Sequence, residues 1–291
     1  MAQILNYPIR QSIAFSNTLF SLYNQAKDSQ DSEIIFDLKR SKLLTPFGII
    51  MLTSTVLECQ KQGKKCKYIE PENQNLRRFI TECGFNDFFG LKSKAPKRDL
   101  IRTGRVQLIQ PKGIDYYIIE NLSDIIDFHM NISPGVKDSI QMSLQEIMTN
   151  VVDHSGVVGY LVCAYTYPSK EQIRLCIADS GRGILKSLRS STSYRYLSND
   201  YTAIKEATEN GVSCRKERAG LGLNHIKQFL KVNKGQMCII SGKGKVYWKF
   251  DQGKVLMQKM KMPFNGTIVK LIINTNKDWR YFLYNEQDYL F

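Results

Sequence analysis

Apolar and polar positions recur with a helical period over residues 139–155, SIQMSLQEIMTNVVDHS. Ile140, Leu144, Ile147, Met148 and Val151 form one stripe, which predicts an amphipathic helix. Glu146, Asn150 and His154 fall at i, i+4 and i+8 on the other side, with Asp153 beside them. Taken alone, such a face is more often ordinary solvated polarity than a site. Upstream, the pattern predicts a helix over 16–26, a strand over 33–38, a helix over 47–61 stopped at Gly63, a strand over 67–70 and a helix over 75–83 closed at Gly84. This alternation argues for a small α/β unit. Beyond it, residues 105–110 and 115–120 read as strands, 123–130 as a helix, and Ser133-Pro134 as the cap and first position of the central helix. Residues 160–167 and 172–178 read as neighbouring strands, 224–232 as a helix, 235–241 and 245–250 as a hairpin around Gly242 and Gly244, and 266–274 as a final strand. The fold class expected is mixed α/β, an α+β chain.

Composition narrows the setting. The 291 residues are 43% hydrophobic and 23% charged, enough for one large domain or two modest ones. No apolar run approaches the roughly 20 residues that span a bilayer, and the N-terminus lacks a secretory pattern. Seven cysteines without a CxxC pair point to free thiols in a reducing cytosol, not to zinc. The net charge of +14 favours acidic partners, and its densest cluster is Lys92, Lys94, Lys97, Arg98, Arg102 and Arg105. That stretch lies in the best candidate boundary, residues 90–105; no nucleic-acid signature accompanies it.

The N-terminal unit resembles the STAS domain of bacterial anti-anti-sigma factors, on IIFDLKRSKLLTPFGIIML, GKKCKYIEP and NLRRFITECGF. That family carries a phosphorylatable Ser in the turn before a Gly. Here the turn is Thr45-Pro46-Phe47-Gly48, with Pro46 in the place of that Ser, so phospho-switching is in question. Thr45 or Ser41 could substitute, although a turn hydroxyl is usually a local cap.

The chemistry concentrates downstream. A strand ends in Asp179-Ser-Gly181-Arg-Gly183, where a buried carboxylate can accept from a ligand amine and the glycines let backbone pass close to it. Gly220-Leu221-Gly222 then opens a helix, whose free N–H groups and dipole suit phosphate. Between them, residues 185–216 fit a mobile lid with a short helix at 200–210, and Arg215, Lys216 and Arg218 could reach phosphate.

Taken jointly and in order, these parts resemble the Bergerat-fold, histidine-kinase-like (GHKL) ATPases, over roughly residues 113–276. The resemblance implies ATP and Mg²⁺ as ligands, with Glu146 as general base toward water and Asn150 as the Mg²⁺ ligand. It implies Asp179 as the adenine reader, Gly181 and Gly183 as the hinge admitting the base, and Gly220, Leu221 and Gly222 at the phosphates. Thr267, in Asn265-Gly-Thr, would support the aspartate. His154 matches the E-x-x-x-N-x-x-x-H of the serine-kinase branch. Asp153 stands where many histidine kinases are basic, and no phosphoacceptor histidine segment precedes the domain, which disfavours histidine autophosphorylation.

The division expected is a STAS-like interaction domain over 1–91, a basic linker over 92–112, the ATP-binding domain over 113–277 and an aromatic tail over 278–291. The leading expectation is a cytosolic ATP- and Mg²⁺-binding regulator that switches a protein partner through its STAS-like unit. An ATPase or a protein serine/threonine kinase of the anti-sigma type is the alternative, and nucleic-acid binding through the basic linker ranks last. A homodimer is left open, and the aromatic tail either packs back or docks on a partner.

Overall fold

The computed structural model describes residues 1–8, 16–90, 105–109, 114–155, 160–209, 212 and 222–283, with backbone alone for Ser16, residues 105–109 and residues 151–155. The chain is α+β, as its patterning predicts. Strands β1 (Ala2–Asn6), β2 (Glu33–Asp37) and β3 (Lys65–Ile69) form a parallel sheet in that order. Helix α1 (Ser16–Asp28) crosses from β1 to β2, α2 (Pro46–Lys61) crosses from β2 to β3, and α3 (Gln74–Glu82) follows. Strand β1 has no counterpart in the sequence reading, because Leu5 alone of its five residues is buried and no alternation marks it.

Thr45 caps α2, its Oγ1 accepting from the Gly48 N–H at 3.2 Å, and Pro46 takes the first helical position. Ser41 is buried and donates to the Pro8 carbonyl at 3.2 Å, so both candidate hydroxyls serve local structure. Every residue of α2 from Pro46 through Val56 is buried. A helix apolar on all sides must be covered on all sides. It lies between the parallel sheet, through β3, and a second, five-stranded sheet, through β6 (Leu161–Tyr167) and β7 (Gln172–Asp179).

That second sheet is antiparallel, in the order β4 (Arg105–Ile109), β6, β7, β9 (Lys254–Asn274) and β8 (Gln236–Lys249). Strand alternation divides its side chains strictly. Cys163, Cys176, Ala178, Cys238, Ile240 and Ile268 share one apolar cluster with α1 and α2. Val162, Ala164, Leu175, Ile177, Met237, Ile239, Val269 and Leu271 face the opposite way, onto α4 (Tyr116–His129), α5 (Pro134–Ser155) and α8 (Gly222–Asn233). The three cysteines on the first face behave as small hydrophobes, and burial pushes all three thiols above their ordinary range. Phe20 and Tyr23 of α1 pack on Phe264, and the Asn24 side chain donates to the Pro263 carbonyl at 3.0 Å. Short strands β5 (Asn131–Ile132) and β10 (Arg280–Tyr281) pair in parallel. Tyr281 thus packs back onto Phe229 and Asn233, and residues 284–291 lie outside the described ones. Among the described residues no helix is long and apolar enough to cross a membrane.

Two expectations are corrected. Residues 115–120 are not a strand: Asp115 caps α4, accepting from Tyr117 N–H at 3.0 Å and Ile118 N–H at 3.3 Å. The β-prone Tyr-Tyr-Ile-Ile run belongs to a stripe of Ile118, Ile119, Leu122, Ile125 and Ile126 that only a longer window shows. Nor do Gly242 and Gly244 turn a hairpin, since β8 runs through them with a shift of register. They admit Asp200 at the start of α7 (Asp200–Glu206), whose Oδ2 accepts from the Lys243 N–H at 2.9 Å. A Cβ on Gly242 would stand 2.7 Å from its carboxylate. The turn comes instead at Phe250–Gln252 and Gly253, so β9 begins at Lys254, well before residue 266. Within the expected lid, the short helix read over 200–210 is α7, and α6 (Ile184–Leu188), a 3₁₀ turn (Thr192–Tyr194) and α7 share a small core of Leu188, Leu197 and Ala203. Those few apolar anchors are sparse enough in a polar segment to escape a periodicity reading.

Candidate functional site

Ser133 caps α5, accepting from the Val136 N–H at 3.3 Å, and the Ile140, Leu144, Ile147 and Met148 stripe is buried on the sheet. Glu146 and Asn150 lie one turn apart and half-buried on the other face. Glu146 Oε2 accepts from the Gly222 N–H at 2.5 Å. Gly222 is the first residue of α8, so a carboxylate caps the positive end of that helix. A Cβ on Gly222 would come 2.6 Å from the Glu146 Cβ, which is why glycine stands there. Gly222→Ala is expected to push Glu146 and α8 apart, at a cost of about 1–3 kcal/mol. Denaturant unfolding of the variant checks this.

Asp179 ends β7 and is 8% exposed. Alternation puts it on the same sheet face as Leu175 and Ile177, the face that carries α5 and α8. Its Oδ1 accepts from the Gly181 N–H at 2.7 Å. Burial pushes the carboxyl from its ordinary 3.8 up to about 6, against the pull of the Gly181 and Thr267 backbone amides. Thr267 of β9 lies directly across from Asp179, and Ser241 of β8 directly across from Thr267. Three strands therefore set Asp, Thr and Ser in one row. Gly266, at φ +115°, lies against Asp179 so closely that a Cβ would overlap its carbonyl oxygen.

Ser241 is the residue that sequence reasoning missed. Its hydroxyl donates to the Gly266 carbonyl at 3.0 Å, accepts from the Ile184 N–H at 2.9 Å and lies 3.2 Å from Thr267 Oγ1. One donor and two acceptor lone pairs are thereby used, tying the Gly183 turn to the β8–β9 ladder. A Cβ on Gly183, at φ +80°, would come 2.9 Å from that hydroxyl. The signal was Ser-Gly at 241–242, which reads equally as a turn. Beside Asp179, Ser180 Oγ accepts from Lys61 Nζ, the last residue of α2, at 2.9 Å.

The structure thus places Asp179, Gly181, Gly183 and Thr267 together, and joins Glu146 to Gly222 on the same side of the sheet. Asn150 follows Glu146 on α5. Gly220, Leu221, Arg215, Lys216 and Arg218 lie outside the described residues, as do the Asp153 and His154 side chains and Lys92 through Arg102. An ionised carboxyl takes about four hydrogen bonds. Two backbone amides account for two at Asp179, so the residues present fit a ligand that offers an amine donor.

No protein-family model matches the chain, and no curated protein does. Among solved structures, a mycobacterial sensor histidine kinase, MprB, aligns over 56% of this chain and 98% of its own, at 14% identity and a TM-score of 0.30. At that score the likeness transfers neither fold nor activity.

Proposed function

We propose that this chain is an ATP- and Mg²⁺-binding regulatory protein of the histidine-kinase-like (Bergerat) type, with a STAS-like N-terminal unit that meets a protein partner. The observation that carries the reading is the buried Asp179 carboxylate. It is costly to ionise where it stands, and three strands and two close-packed glycines hold it in position. Asp179 would accept from the exocyclic amine of adenine, with Gly181 and Gly183 leaving room for the ring. Asn150 would offer its amide oxygen to Mg²⁺, and the start of α8 its N–H groups to phosphate. When bound, the metal nucleotide supplies a polarised phosphoanhydride. Glu146 would position and deprotonate a water beside it, the Gly222 N–H on Oε2 holding the carboxylate in place.

Calorimetric titration of the full chain with ATP and Mg²⁺ tests the binding; no heat of binding would overturn it. Glu146→Gln tests the reaction. The glutamine oxygen still accepts from Gly222, so the unfolding temperature is expected to hold while phosphate release falls at least roughly tenfold. Unchanged release would remove Glu146 as base. Label from the γ-phosphate of ATP, recovered as free phosphate or on a serine or threonine of a partner, separates an ATPase from a protein kinase.

A further inference from the structure

Strand β9 is used unequally along its length. Residues 267–272 pair with β7 on one side and β8 on the other, whereas residues 254–259 pair with β8 alone. Among the described residues no strand joins the outer edge of residues 254–262. At one end the edge is closed by α1, through Asn24 on the Pro263 carbonyl, and at the other by the turn at Gly253. Between them lie about nine residues, a ledge roughly 30 Å long.

This ledge is apolar where an edge is ordinarily blunted. Val255, Leu256, Met257 and Met262 are 51, 50, 40 and 36% exposed. Successive residues point to opposite faces, so an added strand would meet apolar side chains on both. It is also strongly basic. Residues 242–263 hold six lysines and one carboxylate, Asp251, and Lys254, Lys259 and Lys261 are exposed on the strand itself. A second copy pairing edge to edge would set these lysines against one another, which disfavours self-association. A polyanion such as RNA would engage the lysines but leave the unpaired backbone and the methionines unused.

We propose that the outer edge of β9 over residues 254–262 is a docking site for an extended, acidic segment of a partner protein, added to the sheet as a further strand. Main-chain bonds supply the affinity of such an addition, and the exposed apolar and basic side chains select a strand that combines apolar and acidic ones. The site stands independently of the nucleotide reading.

The probe is a fluorescent ten-residue peptide of alternating glutamate and valine, titrated into the full chain by anisotropy. Binding is expected, with hydrogen exchange slowed over residues 254–262. Methylating alternate backbone nitrogens of the peptide, or the triple change Lys254→Glu, Lys259→Glu and Lys261→Glu, is expected to weaken binding at least tenfold. These lysines are exposed, and an unchanged unfolding temperature confirms that the variant folds. A lysine–valine peptide should not bind. The proposal is overturned if the glutamate–valine peptide fails to bind, if its N-methylated form binds equally well, or if protection falls elsewhere. Binding of single-stranded RNA or phosphatidylserine vesicles at this edge in place of the peptide also overturns it.

Discussion

An Asp179→Asn variant is expected to bind ATP roughly 10- to 100-fold more weakly, the loss of one hydrogen bond to a charged acceptor, and yet to be more stable than the parent at pH 8. The second half follows from burial. The folded chain holds the Asp179 proton up to about pH 6, whereas the unfolded chain releases it near 3.8. Below 3.8 both states are protonated and the carboxyl costs nothing. As pH rises from 3.8 through 6 the folded state progressively loses stability, and above 6 the full difference of about 3 kcal/mol stands against it. Asparagine does not titrate and still offers Gly181 a carbonyl oxygen. Its amide N–H groups, however, would face the adenine amine donor to donor. Thermal unfolding of both proteins at pH 4 and pH 8 checks this: a gain for the variant at pH 8 that vanishes at pH 4 is expected. A variant less stable at both values would mean that the carboxylate is satisfied in ways that burial does not describe.

Residues 113–291 expressed alone are expected to be aggregation-prone, whatever their capacity to bind nucleotide. Removing the first 112 residues uncovers the sheet face of Cys163, Cys176, Ala178, Cys238, Ile240 and Ile268, all within the cluster built with α1 and α2. Contiguous apolar patches beyond a few hundred Å² are rare on soluble monomers and drive association. The truncated chain should bind a hydrophobic dye and sediment as large species, while the full chain unfolds in one calorimetric transition. A monomeric, dye-free fragment would show that the N-terminal helices cover the sheet without being needed there.

What the sequence discloses divides along physical lines. The α5 stripe, the adjacent strands β6 and β7 and the Asp179 terminus are legible because each is written in local periodicity or in a short run ending at glycine. Helix α4 is not, because its first turn is β-prone and its stripe only emerges over three turns. The β8–β9 course is not, because glycines that admit Asp200 across 42 residues of chain look like glycines that turn. At the candidate site Ser241 is silent for the same reason: its three hydrogen bonds all reach across the fold. The burial of α2 on both sides could have been read from the run of Ile49, Ile50, Met51 and Leu52, since a helix without a polar face has no solvent side.

Helix α2 also has a mechanical consequence. Its 16 residues make a rod about 24 Å long. One end is seated in the Thr45 turn of the N-terminal unit, and the other holds Ser180, next to the buried carboxylate. A tilt or slide of so short a rigid rod would displace both ends together. If Asp179 holds a ligand as proposed, a movement of the rod started at the Thr45 end would change affinity at the Asp179 end, and occupancy at Asp179 would then act back on the Thr45 end by the same factor.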